Sequence, residues 1–126
     1  MSPKLRLALG ALVVLAGVVL IFSPEFVRTT FQRPAETVGQ RINLRATFGG
    51  AVAGLGAFVM HADAFRPLPV LLAKLLLWTM AWIAAARVVG FVLDGAPDRA
   101  QIVWVVAEVL LVIAALVFLR RQAGAA

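Results

Sequence analysis

The sequence predicts an all-α membrane protein: an antiparallel bundle of four transmembrane helices, with a short interfacial helix after the first span. Three observations carry this. Four apolar runs, at about residues 5–22, 44–60, 68–93 and 102–119, are separated by short polar turns. Of the 126 residues, 63% are hydrophobic and only 14% are charged, against about 25% charged in soluble domains. The second run is rich in glycine, and each internal Gly costs a water-exposed helix about 1 kcal/mol relative to Ala. In a bilayer a broken backbone hydrogen bond costs far more, and small residues let helices approach closely. Residues 1–126 read as one integral membrane domain.

Composition also excludes much. The absence of Cys removes disulfides, thiolate metal sites and thiol chemistry. With one His and no Tyr as well, few acid–base or nucleophilic groups remain, and no nucleotide or metal motif is present. No catalytic residue, metal site or cofactor is expected. The net charge is +6, but the bases sit at segment ends, which is the pattern of membrane anchoring and not of a nucleic-acid patch. Arg outnumbers Lys ten to two beside abundant Ala and Val, a composition that points to a GC-rich bacterial source and so to a bacterial inner membrane.

The first run follows a short basic tail and holds 18 residues. As a helix it is about 27 Å long, close to a hydrocarbon core of about 30 Å. A signal peptide is the rival reading, but its apolar part is shorter and ends at a small-x-small site. Here the run ends Ile21-Phe22-Ser23-Pro24-Glu25. That sequence is instead a helix start: a hydroxyl at the N-cap, Pro at the first position and an acid in the first turn. Phe26, Val27, Thr30 and Phe31 then fall on one side and Arg28, Gln32 and Arg33 mostly opposite, so a short amphipathic helix at the membrane surface is expected, with an irregular polar loop as the alternative. Pro34 and Gly39 are expected to break it before the second span.

That span opens Asn43-Leu44-Arg45-Ala46-Thr47-Phe48-Gly49-Gly50 and continues through Gly54 to Met60. Gly50 and Gly54 form a small-x-x-x-small pair, extended backward by Ala46. Such a face serves either homodimerisation or packing within the chain. The stretch Asn-x-Arg-Ala-x-aromatic-Gly-Gly, followed by an apolar helix with Arg87 and then Asp94-Gly95, resembles the domain-of-unknown-function 4345 family of small bacterial membrane proteins. The likeness runs from about Ser23 to Arg120 in segment order and spacing. Phe48 stands where Tyr is common in that family, so no hydroxyl is available there. The family's name carries no activity, and the resemblance therefore implies a fold and not a function.

His61 to Pro69 reads as a tight polar turn with two prolines, and His61, without Cys or a second His nearby, as a helix-end residue. The third span can carry Lys74 near its start because that side chain snorkels to the interface. Trp78 and Trp82 share one face, and Arg87, Gly90 and Asp94 share another. Asp94 to Arg99 is a turn punctuated by Asp-Gly and Pro. In the fourth span Gln101, Trp104, Glu108 and Ala115 share a face, Arg120-Arg121 closes it, and the last five residues are expected to be a disordered tail.

Four antiparallel spans put the first and third loops on one side. Arg87 lies six residues before the end of the third span and Glu108 six residues into the fourth, so both sit about 9 Å below that boundary. A lone charge at a helix centre costs about 2.5–3.5 kcal/mol on the insertion scale. An Arg87–Glu108 pair is therefore expected, with Asn43, Arg45 and Asp94 around it. Two readings stay open: a polar pocket in one leaflet for a head group, a proton or a quinone, or a buried pair that sets helix order and register. By residue inventory a structural or accessory bundle ranks first. Ligand binding or transport is the alternative, and DoxX-like membrane proteins, some tied to quinone chemistry, are similar in their four-helix size. The expected partners are the lipid bilayer and either a second copy or another membrane protein.

Orientation is balanced. With the N-terminus cytoplasmic, Lys4, Arg6, Arg66, Arg120 and Arg121 are inside and Arg28, Arg33, Arg41, Arg45 and Arg99 outside, five against five. Both termini are placed in the cytoplasm because the first helix usually dominates. Topology reporters fused to residue 1 and to residue 126 should report the same compartment; opposite compartments would overturn the four-span reading.

Overall fold

The computed structural model describes residues 1–62 and 66–125. Asp63, Ala64 and Phe65, in the expected polar turn, lie outside the described residues. Among the described residues every regular element is a helix: α1 (Pro3–Ile21), α2 (Pro24–Phe31), α3 (Val38–Leu44), a π-helical turn (Arg45–Gly50), α4 (Ala51–His61), α5 (Leu68–Leu93) and α6 (Arg99–Ala125). The segment from α3 through the π-turn to α4 is continuous. With α1, α5 and α6 it makes four helices long and apolar enough to cross a bilayer, the composition of a multi-pass membrane protein.

Helix boundaries follow local chemistry. Ser2 caps α1 by accepting from Leu5 N at 3.1 Å, with Pro3 at the first position. Ser23 does precede α2, but its hydroxyl makes no capping bond; its ψ of 60° departs from the extended backbone that aims an N-cap side chain inward. Gln32 ends α2 in the left-handed region, at φ 50°. The second span starts earlier than the apolar run suggests. Thr37 and Gln40 form a capping box, so Gly39 lies inside the first turn of α3, and α2 has already ended at Phe31, ahead of Pro34. Gly95, at φ 127°, turns the chain after α5. Asp98 then caps α6 by accepting from Gln101 N at 2.9 Å, which moves the helix start back to Arg99. At its far end α6 continues through Ala125, where a disordered tail is expected from the sequence; no Pro interrupts that segment.

The segment 38–61 is the centre of the molecule. Of its apolar membrane-spanning stretch 56% is buried, against 17% for α1, 22% for α5 and 11% for α6. Small residues explain this. A methyl built on Gly49 would lie 2.5 Å from Ile21 N, and one on Gly56 2.5 Å from Val14 N, so this side lies directly against the α1 backbone. On the other side, methyls on Gly50 and Gly54 would lie 2.7 Å from Ile83 Cα and 2.5 Å from Thr79 Cα of α5. The glycines thus make two close faces, and Gly50 and Gly54 are occupied by contacts within the chain. The π-turn separates Ala46 from Gly50: Ala51 N bonds Ala46 O, five residues back, which adds a residue to the turn and breaks the four-residue spacing of the expected stripe.

Contact order along the helices is consistent. As α1 advances from Gly10 through Gly17 to Ile21, its neighbours fall from Gly56 and Met60 through Ala53 to Gly49. The neighbours of Gly50 and Gly54 likewise fall from Ile83 to Thr79. α6 packs chiefly on α5. The four long helices therefore stand as a row, α1–α4–α5–α6, and a cleft is left beside α5 between the α3–π-turn segment and α6. At one end of the row α2 folds back: Val27, Ala35 and Leu44 form a small buried cluster with Phe48 against it, and Phe31 stacks on Phe48 at 4.8 Å. At the other end His61 closes α4, stacked on Trp78 at 4.4 Å with its Nδ1 2.8 Å from Ala57 O. Lys74 borders a cavity of about 480 Å³ there, together with Arg66 and Gln122.

Gly54→Ala should lower stability by about 1–3 kcal/mol, because its methyl would meet main-chain atoms and not a side chain that can turn away. Gly124→Ala, with no described atom within 4 Å of the added methyl, should be neutral or slightly stabilising. Thermal unfolding of both variants in detergent checks this, and equal melting temperatures would exclude the proposed close packing.

Candidate functional site

Two arginines are buried, and each is enclosed by acceptors from other helices. Arg87 projects from α5, whose Gly90, one turn on, lets Ile42 of α3 approach; a methyl at Gly90 would lie 2.9 Å from Ile42 Cγ1. That contact brings α3 alongside the guanidinium. Arg87 Nε donates to Glu108 Oε1 at 2.8 Å, and Nη2 lies 2.6 Å from the same oxygen. Its Nη1 donates to Asn43 Oδ1 at 2.7 Å and to Gln101 Oε1 at 2.6 Å. Gln101 in turn donates from Nε2 to Asn43 Oδ1 at 3.3 Å and to Gly39 O at 3.4 Å. Arg87, Gln101 and Glu108 are 3%, 3% and 4% exposed. The unit joins three helices through one charge pair whose polar atoms are largely satisfied, the condition under which a buried pair is tolerable.

The second arginine belongs to a separate knot. Arg45 opens the π-turn and grips Asp94 at two points, Nε to Oδ2 at 2.6 Å and Nη2 to Oδ1 at 2.9 Å. Its Nη1 donates to Ile21 O at 2.7 Å. Ile21 is the last residue of α1, so Arg45 satisfies one of the carbonyls that a helix C-terminus leaves without a partner. Asp94 is the C-cap of α5. One planar guanidinium thereby ties the ends of two helices to the middle of a third, a geometry that suits Arg and that Lys cannot reproduce. Arg41 Nε, buried and without a hydrogen bond among the described residues, lies 3.8 Å from Asp94 Oδ1.

Of the residues singled out from the sequence, Asn43, Arg87 and Glu108 share the first knot, and Arg45 and Asp94 share the second. Ala46 is fully buried in the π-turn, and Gly49, Gly50 and Gly54 make the helix contacts described above. Gln101 belongs to the first knot although sequence reasoning set it only on a helix face. Its signal was its position seven residues, two turns, before Glu108, on the same side of α6. Trp104 lies between them in sequence yet is exposed.

Beside the first knot is a cavity of about 530 Å³ in the cleft between the α3–π-turn segment and α6. Asn43 and Arg87 contribute to its wall from within the network, Leu44, Phe48 and Trp104 make it apolar, and Arg33, Gln40 and Thr47 complete it. Thr47 Oγ1 donates to Asn43 O at 2.6 Å.

Residues 4–119 match the family described as "Domain of unknown function (DUF4345)". The chain belongs to the DUF4345 family. The match covers both arginine knots, the π-turn and the cavity, so the site lies wholly inside the part of this DUF4345 protein that defines its family. Neither a curated protein nor a solved structure matches the chain.

Asp94→Ala should cost about 3–5 kcal/mol, because it leaves Arg45 buried without its counter-charge. Arg45→Lys should also destabilise, since it loses the two-point contact. Melting of both variants in detergent tests the clamp, and an unchanged midpoint for Asp94→Ala would exclude it.

Proposed function

We propose that this DUF4345 protein is a structural or accessory protein of the bacterial inner membrane, without catalytic activity. It would form an antiparallel four-helix assembly held by two arginine knots, with both termini in the cytoplasm. The observation that carries the reading is closure: Arg87 and Arg45 are each neutralised by a buried carboxylate, Glu108 and Asp94. A charge kept for chemistry or transport needs access to a partner, whereas these two pairs are turned inward onto other helices. The opposed contact order along α1 and α4, and along α4 and α5, supports the antiparallel arrangement. The amphipathic α2, with Val27 buried and Phe26 and Phe31 exposed, supports an interfacial position for that helix. The outward apolar faces of α1 and α6 suit lipid, a second copy or another membrane protein.

A second reading rests on a different observation, the cavity beside Asn43 and Arg87. A cleft with polar groups on an otherwise apolar wall is the form of a binding site for a small molecule, a lipid head group or a quinone. In that reading the Arg87 network is the rigid wall of the site, not its reactive part.

A double-mutant cycle separates structure from chance proximity. Glu108→Leu alone and Arg87→Met alone should each cost about 3–5 kcal/mol, while the double variant should cost clearly less than their sum. Unfolding in detergent measures all three, and strict additivity would mean that the pair does not hold the helices together.

A further inference from the structure

Resting on the binding reading above, we propose that the cavity holds the phosphate-bearing head group of an anionic membrane lipid. The inference comes from which polar atoms are already taken. Gln40 Oε1 accepts from Glu36 N at 2.9 Å and from Thr37 N at 3.1 Å. A main-chain N–H can only donate, so these bonds fix the amide with its oxygen toward the chain and its amino group away. Asn43 is fixed in the same way: Oδ1 accepts from Arg87 Nη1 and from Gln101 Nε2. The amino groups of Gln40 and Asn43, one turn apart on α3, donate to no described residue. Arg33 borders the same cavity, and its guanidinium makes no hydrogen bond or ion pair among the described residues. The Thr47 hydroxyl proton is already bonded to Asn43 O.

What the cavity offers is therefore two amide donors and one cation. Among the described residues no Asp or Glu lines it, and the Arg87 charge is matched by Glu108. A group with several acceptor oxygens and a negative charge complements this set, as a phosphate diester does. The rest of the wall, Leu44, Phe48 and Trp104, suits the first methylenes of acyl chains that continue into the bilayer. Trp104 is exposed on α6, and Trp favours head-group depth. A volume of about 530 Å³ takes a head group and not a whole lipid. The cleft beside α5 lets such a molecule enter sideways, without leaving the membrane.

The test uses the full chain in detergent, titrated separately with phosphatidylglycerol, phosphatidylcholine and a short-chain ubiquinone, with bound adducts counted by native mass spectrometry. Phosphatidylglycerol should bind best. Gln40→Glu preserves the capping box, in which Glu serves as well as Gln, but turns the donor into an anion. Gln40→Glu and Arg33→Gln should each weaken phosphatidylglycerol about tenfold, the value of one lost charge-assisted hydrogen bond. Their melting temperatures should stay unchanged, and Arg121→Gln, at the far end of α6, should bind as the parent does. Equal phosphatidylglycerol binding by parent, Gln40→Glu and Arg33→Gln would overturn the proposal. Preferential ubiquinone binding, weakened by Gln40→Glu and indifferent to Arg33→Gln, would overturn the anionic-lipid assignment and leave the binding reading standing. Binding of none of the three would overturn both. Disulfide formation between Trp104→Cys copies at every lipid concentration would assign the cleft to a second copy of the chain and overturn the proposal as well.

Discussion

A guanidinium inside an apolar helix assembly has to be neutralised and hydrogen-bonded at once, and that requirement organises this molecule. Arg remains protonated in any environment a protein provides, so it cannot shed its charge on burial. Arg87 and Arg45 both meet the requirement by drawing acceptors from other helices. Each solution fixes distances between elements far apart in sequence: Arg87 with Asn43, Gln101 and Glu108, and Arg45 with Ile21 and Asp94. Apolar packing alone is weakly directional between helices surrounded by lipid, because lipid is as apolar as the side chains. The arginine knots add the direction that packing lacks.

The central segment can serve both knots because it is thin and because it contains a π-turn. Thinness comes from Gly49, Gly50, Gly54 and Gly56, which bring the backbones of α1 and α5 within contact of α4 on opposite sides. The π-turn follows Asn43 and begins at Arg45. Asn43 and Arg45 lie two residues apart, so they point to different sides of the helix, one to Arg87 and one to Asp94 and Ile21. Below the turn the glycines meet α1 and α5 in a new phase. An uninterrupted α-helix would carry the angular position of Ala46 straight on to Gly50; the inserted residue releases one from the other.

The same network shapes the cavity. Because Arg87 and Gln101 both donate to Asn43 Oδ1, the Asn43 amide has one orientation, and the capping box at Thr37 gives Gln40 one orientation too. A structural hydrogen bond on one end of an amide thus decides what the other end presents. The row-like order of the helices, with α6 packed chiefly on α5, leaves the space that Gln40 and Asn43 line.

The sequence by itself determined the four apolar helices, the helix-starting role of Pro24, the Asp94–Gly95 turn and, from positions near that turn, the candidates Arg87 and Glu108. Each is a property of one segment: hydrophobic length, a cap, a turn residue, or distance from a segment end. Only the tertiary structure decided that Asp94 binds Arg45 and not Arg87, that Gln101 completes the Arg87 shell, that the glycines form two faces, and that α6 stands at the end of a row. The reason is physical. Depth along the bilayer and angle around a helix can be counted from residue numbers, but the neighbour that fills a given angle depends on the order in which helices pack. That order is set by close backbone contacts and by the π-turn, neither of which has a period that the sequence pattern displays.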